Sequence, residues 1–72
     1  MTVLQNAFVQ ANAAFLAAQS DYITAVELAA NNPTNRNWAA AEKSFQAQQA
    51  ASAAADKTAQ AMHNAAFAAV KA

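Results

Sequence analysis

Asn31-Asn32-Pro33-Thr34-Asn35-Arg36-Asn37 is the one stretch of this 72-residue chain that a helix is not expected to run through. Proline lacks an amide proton and its ring collides with the preceding turn, while asparagine favours turns and helix ends. On either side the chain is written in helix formers, alanine first, then Gln, Leu, Lys, Glu and Met. Strand formers are sparse and never alternate. The pattern predicts an all-α, two-helix antiparallel hairpin, a single unit over residues 1–72. Its helices are expected at about 3–31 and about 36–71, joined by a loop of Asn32, Pro33, Thr34 and Asn35. At about 1.5 Å of rise per residue they would reach roughly 45 and 55 Å. Thr2 with Gln5 three positions on fits a capping box opening the first helix. Asn35 is expected to cap the second, with Asn32 ahead of a helix starting at Pro33 as the alternative.

Of the 41 residues (57%) that are hydrophobic, 25 are alanine, which leaves 16 larger apolar side chains. Such a chain is near the size at which a single core barely suffices without disulfides, a metal or oligomerisation. It has no cysteine and one histidine, so disulfides are impossible and a structural zinc site is not expected; association is what remains. Zero glycine removes phosphate-cradling loops. Four acids balance four bases, which argues against a general affinity for nucleic acid or an anionic membrane surface. The longest clean apolar run, Ala65 to Val70, is far short of the roughly 20 residues a membrane span needs, so no stable membrane insertion is expected. The opening Met1-Thr2-Val3-Leu4-Gln5-Asn6-Ala7 carries no positive charge and no unbroken apolar stretch. No secretory signal is expected there, which leaves a cytosolic protein or one exported by a signal-independent route.

Helix one repeats an apolar doublet every seven residues: Phe8-Val9, Phe15-Leu16, Tyr22-Ile23 and Ala29-Ala30. Leu4, Ala11, Ala18 and Ala25 fall four positions before each, completing a heptad seam. The first member of each doublet is expected in the hairpin's own seam. The second widens the apolar face beyond one partner helix, and Val9, Leu16 and Ile23 are expected to pack on other subunits. Helix two continues the rhythm more weakly, with Trp38, Phe45, Ser52, Ala59 and Ala66 at one heptad position and Ala41, Gln48, Ala55, Met62 and Ala69 three residues after each. Every base in the protein (Arg36, Lys43, Lys57 and Lys71) shares another, and Glu42 and Asp56 sit just before two of those lysines. This row is either a solvated face or the lining of a polar channel shared by subunits. Acids alternate with it and few aromatics are free to stack on bases, so it is a poor phosphate-binding track. His63 is the only candidate general base, without a nucleophile or carboxylate at a useful spacing. No enzyme, no cofactor and no metal is expected.

The order of features resembles the needle and pilus subunits of bacterial type III secretion systems: a polar start, one helix, a short Asn-Pro-Thr-Asn loop, then a longer helix. The motif is Asn32-Pro33-Thr34-Asn35-Arg36-Asn37-Trp38-Ala39-Ala40-Ala41-Glu42, which is similar to the family's Asn-Pro-Ser/Thr/Asp-Asn-Pro loop and the apolar turn and glutamate after it. The layout covers the whole chain and the motif about a dozen residues. Arg36 stands where the family often has a second proline. The second helix is rich in alanine rather than Ile and Leu, closer to the pili of plant-associated bacteria.

The resemblance implies a structural subunit exported unfolded, which polymerises into a hollow extracellular filament on the bacterial surface and conducts unfolded effector proteins. Its partners would be other copies of itself, the secretion apparatus, and the tip or translocated proteins in transit. In the family the C-terminal helix lines the lumen and the N-terminal helix faces outward. Carried over, Arg36, Glu42, Lys43, Asp56, Lys57 and Lys71 become candidates for a hydrophilic lumen. Phe8, Phe15, Leu16, Tyr22, Ile23, Trp38, Phe45, Met62 and Phe67 become the residues expected to hold subunits together. The alternative is a small cytosolic dimer of hairpins, a four-helix bundle acting as regulator or adaptor. An alanine-rich ice-binding helix pair is a third reading, poorly supported because Thr2, Thr24, Thr34 and Thr58 keep no common repeat.

Overall fold

The computed structural model describes residues 2–71, apart from the side chain of Lys71. Two helices, α1 (Val3–Asn31) and α2 (Asn35–Lys71), form an all-α antiparallel hairpin. The start of α1 is the expected capping box: the Thr2 hydroxyl accepts from the Gln5 amide at 3.1 Å, and the Gln5 side chain accepts from the Thr2 amide at 2.8 Å. Two of the orphan donors at the helix start are thereby satisfied.

The connection is tighter than expected. α1 ends at Asn31 and is capped by Asn32, whose amide still reaches the Leu28 carbonyl at 2.9 Å. Pro33 pushes the residue before it out of the helical region, and Asn32 sits at φ −139°, ψ 80°. The Asn32 carbonyl then accepts twice, from the Thr34 amide at 2.9 Å and from the Asn37 side-chain amide at 2.8 Å. The expectation that Asn35 belongs to the loop and caps α2 is corrected. Asn35 is already helical, and Thr34 is the cap, its hydroxyl accepting from the Asn37 amide at 3.1 Å. The Thr34 carbonyl takes the Trp38 amide at 3.0 Å, starting the ladder one residue earlier than expected. The turn closes without any residue at positive φ among those described, so it has no need of glycine.

The hairpin is long and thin, 57 × 17 × 12 Å, with a radius of gyration of 16.6 Å where a compact domain of this length has about 11 Å. Its seam on α1 is the predicted one. Phe8, Ala11, Phe15, Ala18, Tyr22, Ala25 and Ala29 all turn inward, and Val9, Leu16 and Ile23 stay exposed. On α2 the seam is offset by one position from the expected line. Ala41, Gln48, Ala55 and Met62 lie in it as expected, but their companions are Asn37, Ser44, Ala51 and Thr58. Trp38 and Phe45 stand on its flank, about half exposed. Tyr22 meets Phe45 with ring centroids 5.5 Å apart, and Leu4 shares a groove with Met62. That register sets Phe15 level with Ala51 and Ser52, so large side chains of α1 face small ones of α2.

Among the described residues the buried hydrophobic ones are three alanines, Ala29, Ala41 and Ala55. Four of the α2 seam residues, Asn37, Ser44, Gln48 and Thr58, are polar. The Thr58 hydroxyl donates to the Ala55 carbonyl at 2.8 Å, whereas the buried Gln48 Oε1 has no hydrogen-bond partner. Among the described residues no helix is long and apolar enough to cross a membrane.

Candidate assembly surfaces

A helix turns about 100° per residue, so residues seven apart lie on one slowly drifting line, and the seam divides each helix into two sides. On one side of α2 run Trp38, Phe45 and Ser52, and beyond them Glu42, Gln49, Asp56 and His63. On the other run Ala40, Ala47, Ala54 and Ala61, and beyond them Arg36, Lys43, Ala50 and Lys57. Gln46, Ala53 and Gln60 point straight away from α1. In α1, Val26 and the stripe of Val9, Leu16 and Ile23 lie to one side, with Ala7, Ala14, Asp21 and Leu28 to the other.

The groove near the loop fixes which sides go together. It holds about 380 Å³ and is lined by Tyr22, Val26, Trp38, Ala41, Glu42 and Phe45. One broad face of the hairpin thus carries the bulky apolar groups and the acids of α2. The opposite face is smoother, built mainly of alanine and edged by the bases, with Leu28 exposed on it near the loop end of α1.

The sequence-predicted packing residues therefore divide. Phe8, Phe15, Tyr22 and Met62 are partly buried in the hairpin's own seam. Leu16 and Ile23, with Val9, are exposed at 53%, 51% and 51%. Trp38 and Phe45 belong both to the flank of the seam and to the bulky face. Phe67 lies farther along α2, past the level of the α1 start, its ring stacked at 6.2 Å on His63. Of the loop residues, Asn32, Pro33 and Thr34 are exposed between the helices. The charged candidates Arg36, Glu42, Lys43, Asp56 and Lys57 are all exposed, and they form no ion pair within the hairpin among the described residues. The helix includes Lys71, but its side chain lies outside the described residues. The smoothness of the second face was missed from sequence, though its signal was present: Ala40, Ala47, Ala54, Ala61 and Ala68 recur every seven residues.

Area shows how incomplete the isolated hairpin is. Its accessible surface is 5339 Å², against about 4,200 Å² for a folded monomer of this mass. The excess, roughly 1,100 Å², exceeds the ~800 Å² that each partner contributes to a standard protein interface. Compared with protein families, curated proteins and solved structures, the chain matches none.

Proposed function

We propose that this chain is the structural subunit of a hollow extracellular filament of the type III secretion needle and pilus kind, which conducts unfolded effector proteins. The observation that carries the reading is the exposed stripe of Val9, Leu16 and Ile23 on a hairpin whose buried residues, among those described, are all alanine. Apolar surface of that extent marks an interaction site, and the two-helix layout with its Asn-Pro-Thr-Asn loop supports the family resemblance. In such a tube α2 faces inward and presents Gln46 and Gln60 between the acid row and the base row. A lumen of weak, mixed charge lets an unfolded chain pass without holding it. Self-association is the primary partnership, and the secretion apparatus and cargo are met in transit.

Negative-stain electron microscopy of purified protein tests the assembly directly, with filaments expected and small closed particles at high concentration counting against it. A cysteine at Lys57 should resist a bulky thiol reagent in filaments while one at Glu27 reacts; equal labelling would remove the lumen assignment.

One observation favours a second reading. Trp38 and Phe45, each about half exposed, lie near the loop end of one broad face, and a two-fold dimer of hairpins would cover that face. A regulator or adaptor built this way stays a 15 kDa particle at all concentrations, as light scattering would show, about twice the 7.5 kDa chain.

A further inference from the structure

Resting on the filament reading, we infer that the acid row and the base row of α2 are the two halves of one contact between neighbouring copies. The bulky face of one hairpin seats on the smooth face of the next, the two running parallel and nearly level. Glu42 of one copy then meets Lys43 of its neighbour, and Asp56 meets Lys57.

Spacing is the first support. Glu42 and Asp56 are fourteen residues apart on one line of α2, and Lys43 and Lys57 are fourteen apart on another. Each lysine follows its acid by one residue, an axial step of about 1.5 Å. A sideways translation of the hairpin therefore brings both pairs together at once. The two lines leave the helix on opposite broad faces, so the pairing cannot occur inside one copy, and none is seen there.

The second support is what other pairings would do. A two-fold contact of the bulky face with itself brings no described lysine or arginine side chain to Glu42 or Asp56, because among the described residues that face carries only His63 as a base. Carboxylates would then meet either one another or the apolar stripe, and both are unfavourable. Head-to-tail stacking also sets bulky groups against the small side chains of Ala40 and Ala47, where backbones can come close. A contact between two different faces does not close on itself as a two-fold one does; it propagates into a ring or a filament. The acid and base rows also flank the side of α2 turned away from α1. Paired between copies, they would leave a lumen wall neutralised along every subunit boundary.

The test uses two full-length variants and their mixture. Glu42→Lys/Asp56→Lys carries bases on both faces, and Lys43→Glu/Lys57→Glu carries acids on both. Each alone is expected to need at least about tenfold more protein than wild type to polymerise at low salt, through two like-charged contacts per interface. Mixed in equal amounts they should co-assemble as readily as wild type, because acid faces then meet base faces in alternation. The chain carrying all four substitutions should polymerise alone. Every substituted residue is exposed, so an unchanged helical circular dichroism signal confirms folding. If wild type polymerises and each double variant does so equally well, or the mixture gains nothing over its components, the row pairing is wrong and the filament reading survives. If wild type forms no polymer, the filament reading itself fails and this inference with it.

Discussion

Replacing Val9, Leu16 and Ile23 together with alanine should abolish assembly at ordinary concentrations while leaving the hairpin folded. Burying a side chain of this class completely contributes about 1.5–3 kcal/mol. With 51%, 53% and 51% of each still exposed in the isolated hairpin, roughly half of that, ~1 kcal/mol per residue, remains to be gained on contact with a neighbour. The three sit seven residues apart, about 10.5 Å along the helix, so their effects should add. The total of ~3 kcal/mol raises the critical concentration for elongation about a hundredfold, at 1.4 kcal/mol per factor of ten. Pelleting across a dilution series measures that concentration. Circular dichroism on the dilute fraction checks folding, and alanine is the better helix former at all three sites. Phe15→Ala is the contrasting variant. Phe15 lies in the hairpin's own seam, so its truncation should lower helicity in dilute solution as well as assembly. The reasoning is refuted if the triple variant polymerises within about threefold of wild type, or if it loses helix to the same degree as Phe15→Ala.

Three further substitutions probe the hairpin itself. Gln48→Leu removes a buried oxygen with no partner and keeps an apolar side chain of similar size in the seam. It should stabilise by ~1 kcal/mol, which a thermal melt reads as a midpoint roughly 4–8 °C higher. Thr34→Ala deletes the oxygen that holds the Asn37 amide and should cost about 1 kcal/mol by the same melt. Asn35→Ala, one residue later and inside the first turn, should change stability by less than ~0.5 kcal/mol; a larger loss there would mean that Asn35 is the cap after all.

The hairpin and the register of α1 were legible because strong local signals agreed. Pro33 breaks the helix, and Phe8, Phe15 and Tyr22 mark the seam at heptad spacing. The register of α2 was not, and the reason is steric. Small side chains, Ser44, Ala51 and Thr58, take the place in the seam where the rings of α1 need room, and Trp38 and Phe45 stand on its flank, where Phe45 meets the Tyr22 ring. Reading bulk as burial therefore misplaced one of the two lines of α2 in the seam by one position, while the line of Ala41, Gln48, Ala55 and Met62 is where the spacing put it. The cap was ambiguous for a different reason: Asn32, Thr34 and Asn35 are all good capping residues within four positions. The non-helical conformation of Asn32 before Pro33 decides among them, because it leaves Thr34 at the right place to receive the Asn37 amide.

The division of surface between two unlike faces bears on how such a subunit could be exported and then become rigid. A hairpin whose buried residues, among those described, are all alanine, and which keeps an unpaired oxygen at Gln48, has little apolar burial to resist opening. On the proposed filament reading, that suits passage through a narrow channel as an extended chain. Binding to the folded form alone then stabilises it by mass action, in proportion to how far the local subunit concentration exceeds the dissociation constant at the growing end. Filling the seam with larger apolar residues would remove that coupling, because the hairpin would be stable before it met a neighbour. The weakness of the core and the extent of the exposed stripe are thus two sides of one arrangement. It follows that Gln48→Leu, though stabilising for the hairpin, should slow export through the apparatus relative to wild type, which counting exported subunits per unit time would reveal; unchanged export would show that unfolding is not what limits passage.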